Sequence, residues 1–147
     1  MPSVKDIMIR DVITITVDKT VFEAAELMTS KEIGCLIIVQ DEAPVGIVTE
    51  RDFIRRIIAK KLPYDVKVSE IMTKSLVTVD PDASLKDAAR LMSTKRIRRL
   101  PVVKHNKLVG IVVASDLIRN LGKKTVTEEI VDAMGRYPPG TMRYGLR

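Results

Sequence analysis

The sequence predicts a mixed α/β (α+β) fold in which two β-α-β-β-α repeats pack sheet to sheet about a pseudo-twofold axis. Three observations favour this fold: an internal duplication, a stripe of apolar residues at helical spacing in each copy, and a pair of apolar stretches joined by a polar turn. One repeat alone cannot bury both faces of its sheet. The two copies are therefore expected to share a core across the axis.

The duplication is evident when the sequence is displaced by 64 residues. Residues 4–57 then align with residues 68–121 without a gap, and 20 of the 54 pairs are identical. Unrelated sequences would match at about three of these positions by residue frequency. We therefore predict a first repeat within residues 1–64, a second within 65–122, and a C-terminal tail at 123–147. A short helix at 127–134 followed by a basic irregular segment is expected in that tail.

The first strand and the first helix of each repeat follow from residue type and spacing. Residues 12–15 and 76–79 are rich in β-branched residues, which favour strands. Behind each stretch, apolar residues recur at i, i+3, i+4 and i+7, which is one face of a helix. A capping box at Thr20 and a looser match at Ser84 predict where the helices begin. The apolar positions are Val21, Ala24, Ala25 and Met28 in the first copy and Leu85, Ala88, Ala89 and Met92 in the second.

A hairpin and a second helix complete each repeat. Apolar residues 36–39 and 45–48 flank a polar turn in the first copy, and residues 100–103 and 108–113 do so in the second. Continuous apolar runs are typical of strands that are covered on both faces. The second helices present apolar residues at Phe53, Ile54, Ile57 and Ile58, and at Leu117, Ile118 and Leu121.

Composition limits the class of protein. Hydrophobic residues make up 46% of the 147 residues and charged residues 30%, an ordinary globular balance. The single cysteine excludes an internal disulfide framework and a multi-cysteine zinc site. No apolar run approaches the roughly 18 residues that span a bilayer, and the first ten residues lack a signal-peptide core. We expect a cytoplasmic protein with no membrane partner.

No pattern in the sequence indicates catalysis. The only histidine, His105, falls in a predicted turn without a neighbouring cysteine or aspartate. Cys35 begins a predicted buried strand, where a thiol packs as a small hydrophobe. The sequence contains neither a phosphate-binding Walker loop nor metal-ligand spacing. We expect a protein that is not an enzyme and that uses no catalytic cofactor.

Three short motifs carry a resemblance to a known family. Val-x-[Asp/Glu]-Ile-Met opens both copies, Gly-Ile-Val-Thr-Glu-Arg-Asp occupies residues 46–52, and Arg-Arg-Leu-Pro-Val-Val occupies residues 98–103. The repeat resembles the CBS motif, named after cystathionine β-synthase, and the resemblance covers residues 4–121. Two copies in one chain are similar to a Bateman module. The resemblance implies a regulatory protein that binds adenosine-containing ligands in two related clefts and pairs into a disc-shaped homodimer.

Thr49 and Asp52 are the central candidates for ligand binding. These residues are three apart at the start of a predicted helix, so their side chains face the same side of that helix. A carboxylate there can accept two hydrogen bonds from the cis-diol of a ribose, as acidic residues do in dinucleotide folds. The same spacing also fits a capping box that satisfies only backbone N–H groups. The resemblance implies the ribose role, and one hydroxyl can serve both.

The second copy departs from this pattern. Asp116 matches Asp52, but Val113 replaces the threonine and can neither donate nor accept a hydrogen bond. We therefore expect the second cleft to bind ligand weakly or to be empty.

The remaining candidates surround the base and the phosphate. Arg98 and Arg99 stand where the first copy has Gly34 and Cys35, and arginine forks match phosphate oxygens. A solvated cationic loop is the alternative. The resemblance and the pseudo-twofold axis imply that Ile71, Val77, and the backbone of Ile97 and Arg98 cover adenine in the Thr49 cleft. The sister cleft would use Ile7, Ile13 and Ile33 in the same way.

The function predicted is that of an energy or metabolite sensor that binds an adenine nucleotide. AMP is the ligand we expect, although ADP, ATP, S-adenosylmethionine and NAD share the same adenosine. The alternatives are a nucleic-acid binder or a protein-interaction scaffold, which the net charge of +6 would suit. Partners would be an effector protein and a second copy, the latter packed on Phe53, Ile57, Leu117 and Leu121.

Overall fold

The computed structural model describes residues 2–121, which contain the two repeats. The first repeat comprises α1 (Val4–Ile7), β1 (Thr14–Thr16), α2 (Val21–Lys31), β2 (Cys35–Gln40), β3 (Ala43–Thr49) and α3 (Glu50–Asp52), which continues as a π-helical segment (Phe53–Ile58). The second comprises α4 (Val68–Ile71), α5 (Leu85–Lys95), β4 (Arg99–Lys104), β5 (Lys107–Val113) and α6 (Ala114–Leu121). The mixed α+β class is confirmed. The helix expected at 127–134 lies outside the described residues.

Two small sheets contain the strands. In the first, β1 pairs in parallel with β2, and β2 pairs antiparallel with β3. In the second, β4 and β5 form an antiparallel pair with the same register, including a bulge at the equivalent place. Strands β3 and β5 contact each other across the centre of the molecule. The hairpins turn at Asp41-Glu42 and at His105-Asn106, and all four residues have positive φ, as tight type I′ turns require.

The strand predicted at 76–79 is wrong. Only a single parallel bridge forms there, from Val79 to Val102, whereas β1 has three paired residues. The partner strand supplies the reason: Pro101 stands where β2 has Ile37 and has no N–H to donate to a neighbouring strand.

The first helices begin where the sequence predicts. In α2, Thr20 Oγ1 accepts from the Glu23 N–H at 3.1 Å and the Glu23 side chain returns a bond to the Thr20 N–H, which completes the capping box. In α5, Ser84 accepts from Asp87 without the return bond. Both helices end at a left-handed residue, Glu32 or Arg96.

The opening segment of each repeat packs on the other repeat. The Val4 N–H donates to the Ala83 carbonyl, and Ile9 bridges Ile111 in β5. In the same way, the Val68 N–H donates to the Lys19 carbonyl, and Thr73 bridges Ile47 in β3. The short helices α1 and α4 were not predicted, because four residues are too few for a periodic pattern. The two buried clusters consequently each contain side chains from both repeats.

A methionine from each opening segment lies over a glycine of the opposite sheet. A Cβ added to Gly46 would overlap Met72 Sδ and lie 2.7 Å from its Cγ. A Cβ on Gly110 would lie 2.6 Å from Met8 Sδ. The glycines are thus needed for packing between the repeats.

The apolar face of the second helices differs from the prediction. Ile57 and Leu117 are fully buried inside the chain, so they are not available to a second copy. Ile54 and Ile58 are instead 60% and 64% exposed. The core takes Ile57 together with partly buried Phe53, which turns the other two outward.

Candidate functional site

A cavity of about 220 Å³ lies between the repeats, at the carboxyl end of β3. Three stretches of chain line it: the end of β3, the segment that follows α4, and the residues that lead from α5 into β4. The lining residues are Ile47, Thr49, Thr73, Ser75, Leu76, Val77, Arg96, Ile97, Arg98, Arg99 and Pro101. Of the predicted site residues, the structure therefore brings Thr49, Val77, Ile97, Arg98 and Arg99 together around one space.

Thr49 and Asp52 form a capping box at the start of α3. The Asp52 N–H donates to Thr49 Oγ1 at 3.3 Å, and Asp52 Oδ2 accepts from the Thr49 N–H at 2.9 Å. The capping role considered from the sequence is therefore present. It does not exhaust the carboxylate, since its two oxygens together offer about four lone pairs.

Asp52 borders the cavity through Thr49 and is not itself among the lining residues described. Its side chain is 15% exposed, and its second oxygen, Oδ1, lies 3.5 Å from Arg56 Nε. Ile71 is placed differently from the expectation. It is buried in the core of the first repeat, because α4 turns its side chain toward that cluster.

The arginines lie at the opposite wall. Arg98 is only 5% exposed, so the solvated-loop alternative is wrong for this side chain. Its carbonyl accepts from the Ala114 N–H at 2.8 Å, which fixes the backbone before β4. Arg99 is half-buried and is paired with Val113 in the hairpin. Arg96, the exposed residue that ends α5, adds a third cation to the same lining.

Cys35 lies near Arg98 and Arg99. The thiol is fully buried, and burial raises its pKa above the ordinary value, while the positive charges of Arg99 and Arg98 act in the opposite direction. Cys35 of the first repeat therefore lies close to Arg98 and Arg99, which are the residues of the second repeat that align with Gly34 and Cys35.

The residues predicted for the second cleft are less polar and more buried than those of the Thr49 cavity. Ile33, Gly34 and Cys35 are buried, and Ile13 is half-buried. Val113 is 4% exposed, and its hydrocarbon side chain has no oxygen that could accept a capping hydrogen bond from α6. The Asp116 carboxylate pairs with Arg119 on the next turn of its own helix.

Several lining residues were not predicted from the sequence. Thr73 and Ser75 bring hydroxyl groups to the cavity, and Ile47 and Pro101 bring apolar surface. The sequence contained one indication of these lining residues. Residues 73–77 connect the Ile-Met motif, which both repeats share, to Val77, which the family resemblance implied to cover adenine. The bridge from Thr73 to Ile47 explains why this whole stretch forms a wall.

Neither a metal centre nor a membrane segment is found between residues 2 and 121. No group of three or more His, Cys, Asp or Glu side chains could hold a metal ion in that range. No helix in it is both long and apolar enough to cross a bilayer.

Comparison with known proteins identifies the repeats. A family model for the CBS domain matches residues 4–59 and 68–123. The CBS domain-containing protein YhcV of Bacillus subtilis is 42% identical over 120 residues, which cover 82% of this chain and 86% of that protein. Proteins built from CBS domains are generally regulatory rather than catalytic.

Solved structures of CBS-domain pairs have the same fold. CBSX2, determined in complex with AMP, is 30% identical with a TM-score of 0.69, and the match covers 81% of this chain and 95% of that one. Hypoxic Response Protein I, determined with two coordinated zinc ions, is 32% identical with a TM-score of 0.76, and the match covers 82% of this chain and all of that one.

Proposed function

This chain belongs to the CBS-domain family, and on that premise we propose that it is a non-catalytic cytoplasmic module that binds AMP in the Thr49 cavity and reports its level to a partner protein. One observation carries the proposal: the cavity brings the Thr49 hydroxyl, which contacts the Asp52 carboxylate, together with apolar side chains from both repeats and arginines from the second. Those are the groups that a ribose, a base and a phosphate need. The AMP complex of CBSX2, a protein of the same fold, adds support.

Each part of the nucleotide has a counterpart in the wall. The ribose diol would donate to Asp52 and contact Thr49, since carboxylates accept the paired hydroxyls of a sugar. The base would lie between Val77 and Ile97, two half-buried apolar residues that line the cavity. The phosphate would meet Arg99 and Arg96, whose guanidinium groups offer forked donors.

AMP is the ligand we propose, because the AMP complex of CBSX2 supports it. ADP, ATP, S-adenosylmethionine and NAD contain the same adenosine, so the ribose and base contacts alone would not distinguish them from AMP. We propose one occupied site per chain, since the second cleft lacks the threonine.

Equilibrium dialysis with labelled AMP, adenosine and a polynucleotide tests the proposal. Asp52→Ala should weaken AMP and adenosine alike by about 10- to 150-fold, because a hydrogen bond to a charged group contributes about 1.5–3 kcal/mol. Arg99→Ala should weaken AMP and leave adenosine unchanged. Asp65→Ala, which removes an exposed carboxylate from the connection between the repeats, is the matched control. AMP affinity that survives Asp52→Ala, or preference for the polynucleotide, contradicts the proposal.

We also propose that the module is a homodimer. The exposed Ile54 lines a depression of about 670 Å³ between α2 and the segment that begins at Glu50, together with Ala25, Met28 and Phe53. Ile58, four residues later, is exposed as well. Contiguous exposed apolar surface of this kind is unusual on a monomer.

A further inference from the structure

We propose that Arg56 is a positioning residue that couples ligand binding at Asp52 to the chain segment that opens the second repeat. The inference rests on the proposed function and adds a residue that lies outside the cavity lining. It begins from a single guanidinium group that contacts both repeats.

Arg56 lies in the π-helical segment, one helical turn after Asp52. Its Nη1 donates to the Ile71 carbonyl at 2.8 Å, and its Nε lies 3.5 Å from Asp52 Oδ1. The other carboxylate oxygen, Oδ2, accepts from the Thr49 N–H. Both oxygens of Asp52 are thus held by the chain, one by the cap and one by Arg56. The Asp52 side chain is 15% exposed and the Arg56 side chain 43%, so this contact is shielded from water mainly on the carboxylate side.

The Ile71 carbonyl connects this contact to the cavity wall. It belongs to the last turn of α4, where carbonyl groups have no partner inside the helix. Met72 follows and packs over Gly46. Thr73 then exchanges two backbone hydrogen bonds with Ile47, at 2.9 and 3.0 Å, before the chain continues along the cavity. A change in the position of Ile71 would therefore move the wall.

The equivalent position in the second repeat makes no such link within the described chain. Asn120 replaces Arg56, and its side chain donates at 2.7 Å to the Asp116 carbonyl of its own helix. The Asp116 carboxylate pairs instead with Arg119. The arginine that connects a carboxylate to the opposite repeat is therefore next to Asp52. On this side the chain also has Thr49, which we propose contacts the ribose.

Thermodynamic linkage gives the consequence. A ligand whose hydroxyl groups bind Asp52 stabilises the arrangement that Arg56 holds, and that arrangement in turn favours the ligand. Arg56 acts on the ribose side and does not line the phosphate wall. Its loss should therefore weaken adenosine and AMP by the same factor, unlike the loss of Arg99.

Arg56→Gln tests the inference, with Arg55→Gln as the matched control, since Arg55 is an exposed neighbour with the same charge. By calorimetry, Arg56→Gln should weaken both adenosine and AMP about two- to tenfold, the range expected for one hydrogen bond. In an Asp52→Ala background the same substitution should cause no further loss. Arg56→Lys, which can keep one of the two contacts, should fall between.

Hydrogen exchange separates positioning from a general structural effect. AMP should slow exchange of the Thr73 amide in the parent and in Arg55→Gln, and this protection should be reduced in Arg56→Gln. If Arg56→Gln does not fold, Arg56→Lys gives the same comparison with a smaller expected change. Equal affinities for the Arg56 and Arg55 variants, or undiminished Thr73 protection, overturn the inference alone. A parent that binds neither adenosine nor AMP overturns the proposed function and this inference together.

Discussion

At the scale of single residues, the Asp52 carboxylate has a structural role in the cap and, in the proposed function, a binding role as well. The sequence left a cap and a ribose contact as alternatives for Thr49 and Asp52. The cap is formed, yet the carboxylate keeps lone pairs beyond those used by Thr49 and Arg56. A helix start held in this way provides a carboxylate that is already oriented, which lowers the entropy cost of binding.

Cys35 provides a pH-dependent prediction at this scale. Burial raises the pKa of its thiol, so the folded protein keeps the neutral form at a pH where the unfolded chain, with a thiol pKa of about 8.5, already ionises. The unfolded state then binds fewer protons, and the free energy of unfolding falls as pH rises above that value.

Urea unfolding of the parent and of Cys35→Ala between pH 7 and 10 measures this effect. The stability difference between the two proteins should shrink as pH rises, because alanine has no proton to lose. A difference that stays constant over that range contradicts the prediction. As a second measurement, iodoacetamide should modify native Cys35 slowly and urea-unfolded Cys35 quickly, since only the exposed thiolate is reactive.

At the scale of secondary-structure elements, the sequence predicted correctly those elements whose apolar pattern extends over many residues. Helices α2 and α5 repeat an apolar stripe over eleven residues each, and their caps were correctly located. The hairpins were predicted because apolar runs flank polar turns. Residues 76–79 have suitable β-branched residues, but strand formation also depends on the partner, and Pro101 removes a donor there.

The site could be predicted only in part for the same reason. Thr49, Val77, Ile97 and the two arginines line the cavity as expected, and they were predicted from the resemblance to the CBS motif together with the duplication. Ile71 was misplaced because α4 was not expected, and this short helix directs the side chain into the core. Thr73 and Ser75 carry no motif, and their position depends on a backbone bridge that no periodic pattern encodes.

The contact between Gly46 and Met72 gives a prediction for how the elements pack. Gly46→Ala would place a methyl group against Met72 Sδ and Cγ, and overpacking of this kind costs about 1–3 kcal/mol. Chemical denaturation should show that loss in the free energy of unfolding.

A double-mutant cycle identifies the cause. Met72→Ala removes the side chain that the new methyl group would meet, so Gly46→Ala should cost much less in that background. Equal costs in both backgrounds would mean that the backbone at residue 46, rather than Met72, requires the glycine.

At the scale of the whole molecule, the opening segments make the two repeats depend on each other. Val4 is buried with side chains of the second repeat, and Val68 and Ile71 are buried with those of the first. Each buried cluster is therefore incomplete without the other half of the chain. This arrangement places the Thr49 cavity, the bridge from Thr73 to Ile47 and the Arg56 contact along one boundary.

Homodimer formation is the prediction that belongs to this scale. Ile54 and Ile58 lie four residues apart in the π-helical segment and are more than half exposed, and Ile54 lines the depression along α2. Burial of both side chains against a second copy would stabilise the dimer by about 25 cal/mol for each Å² of apolar surface removed from water.

We expect sedimentation at micromolar concentration to give twice the chain mass of 16.4 kDa. The double variant Ile54→Asp with Ile58→Asp should sediment as a monomer, because a dimer would have to bury two carboxylates from each chain without partners. Thr78→Asp, which places a carboxylate at an exposed site in the second repeat, should remain dimeric. If the parent sediments only as a species of 16.4 kDa, the homodimer prediction is wrong. This apolar surface would then bind a different protein, such as the effector.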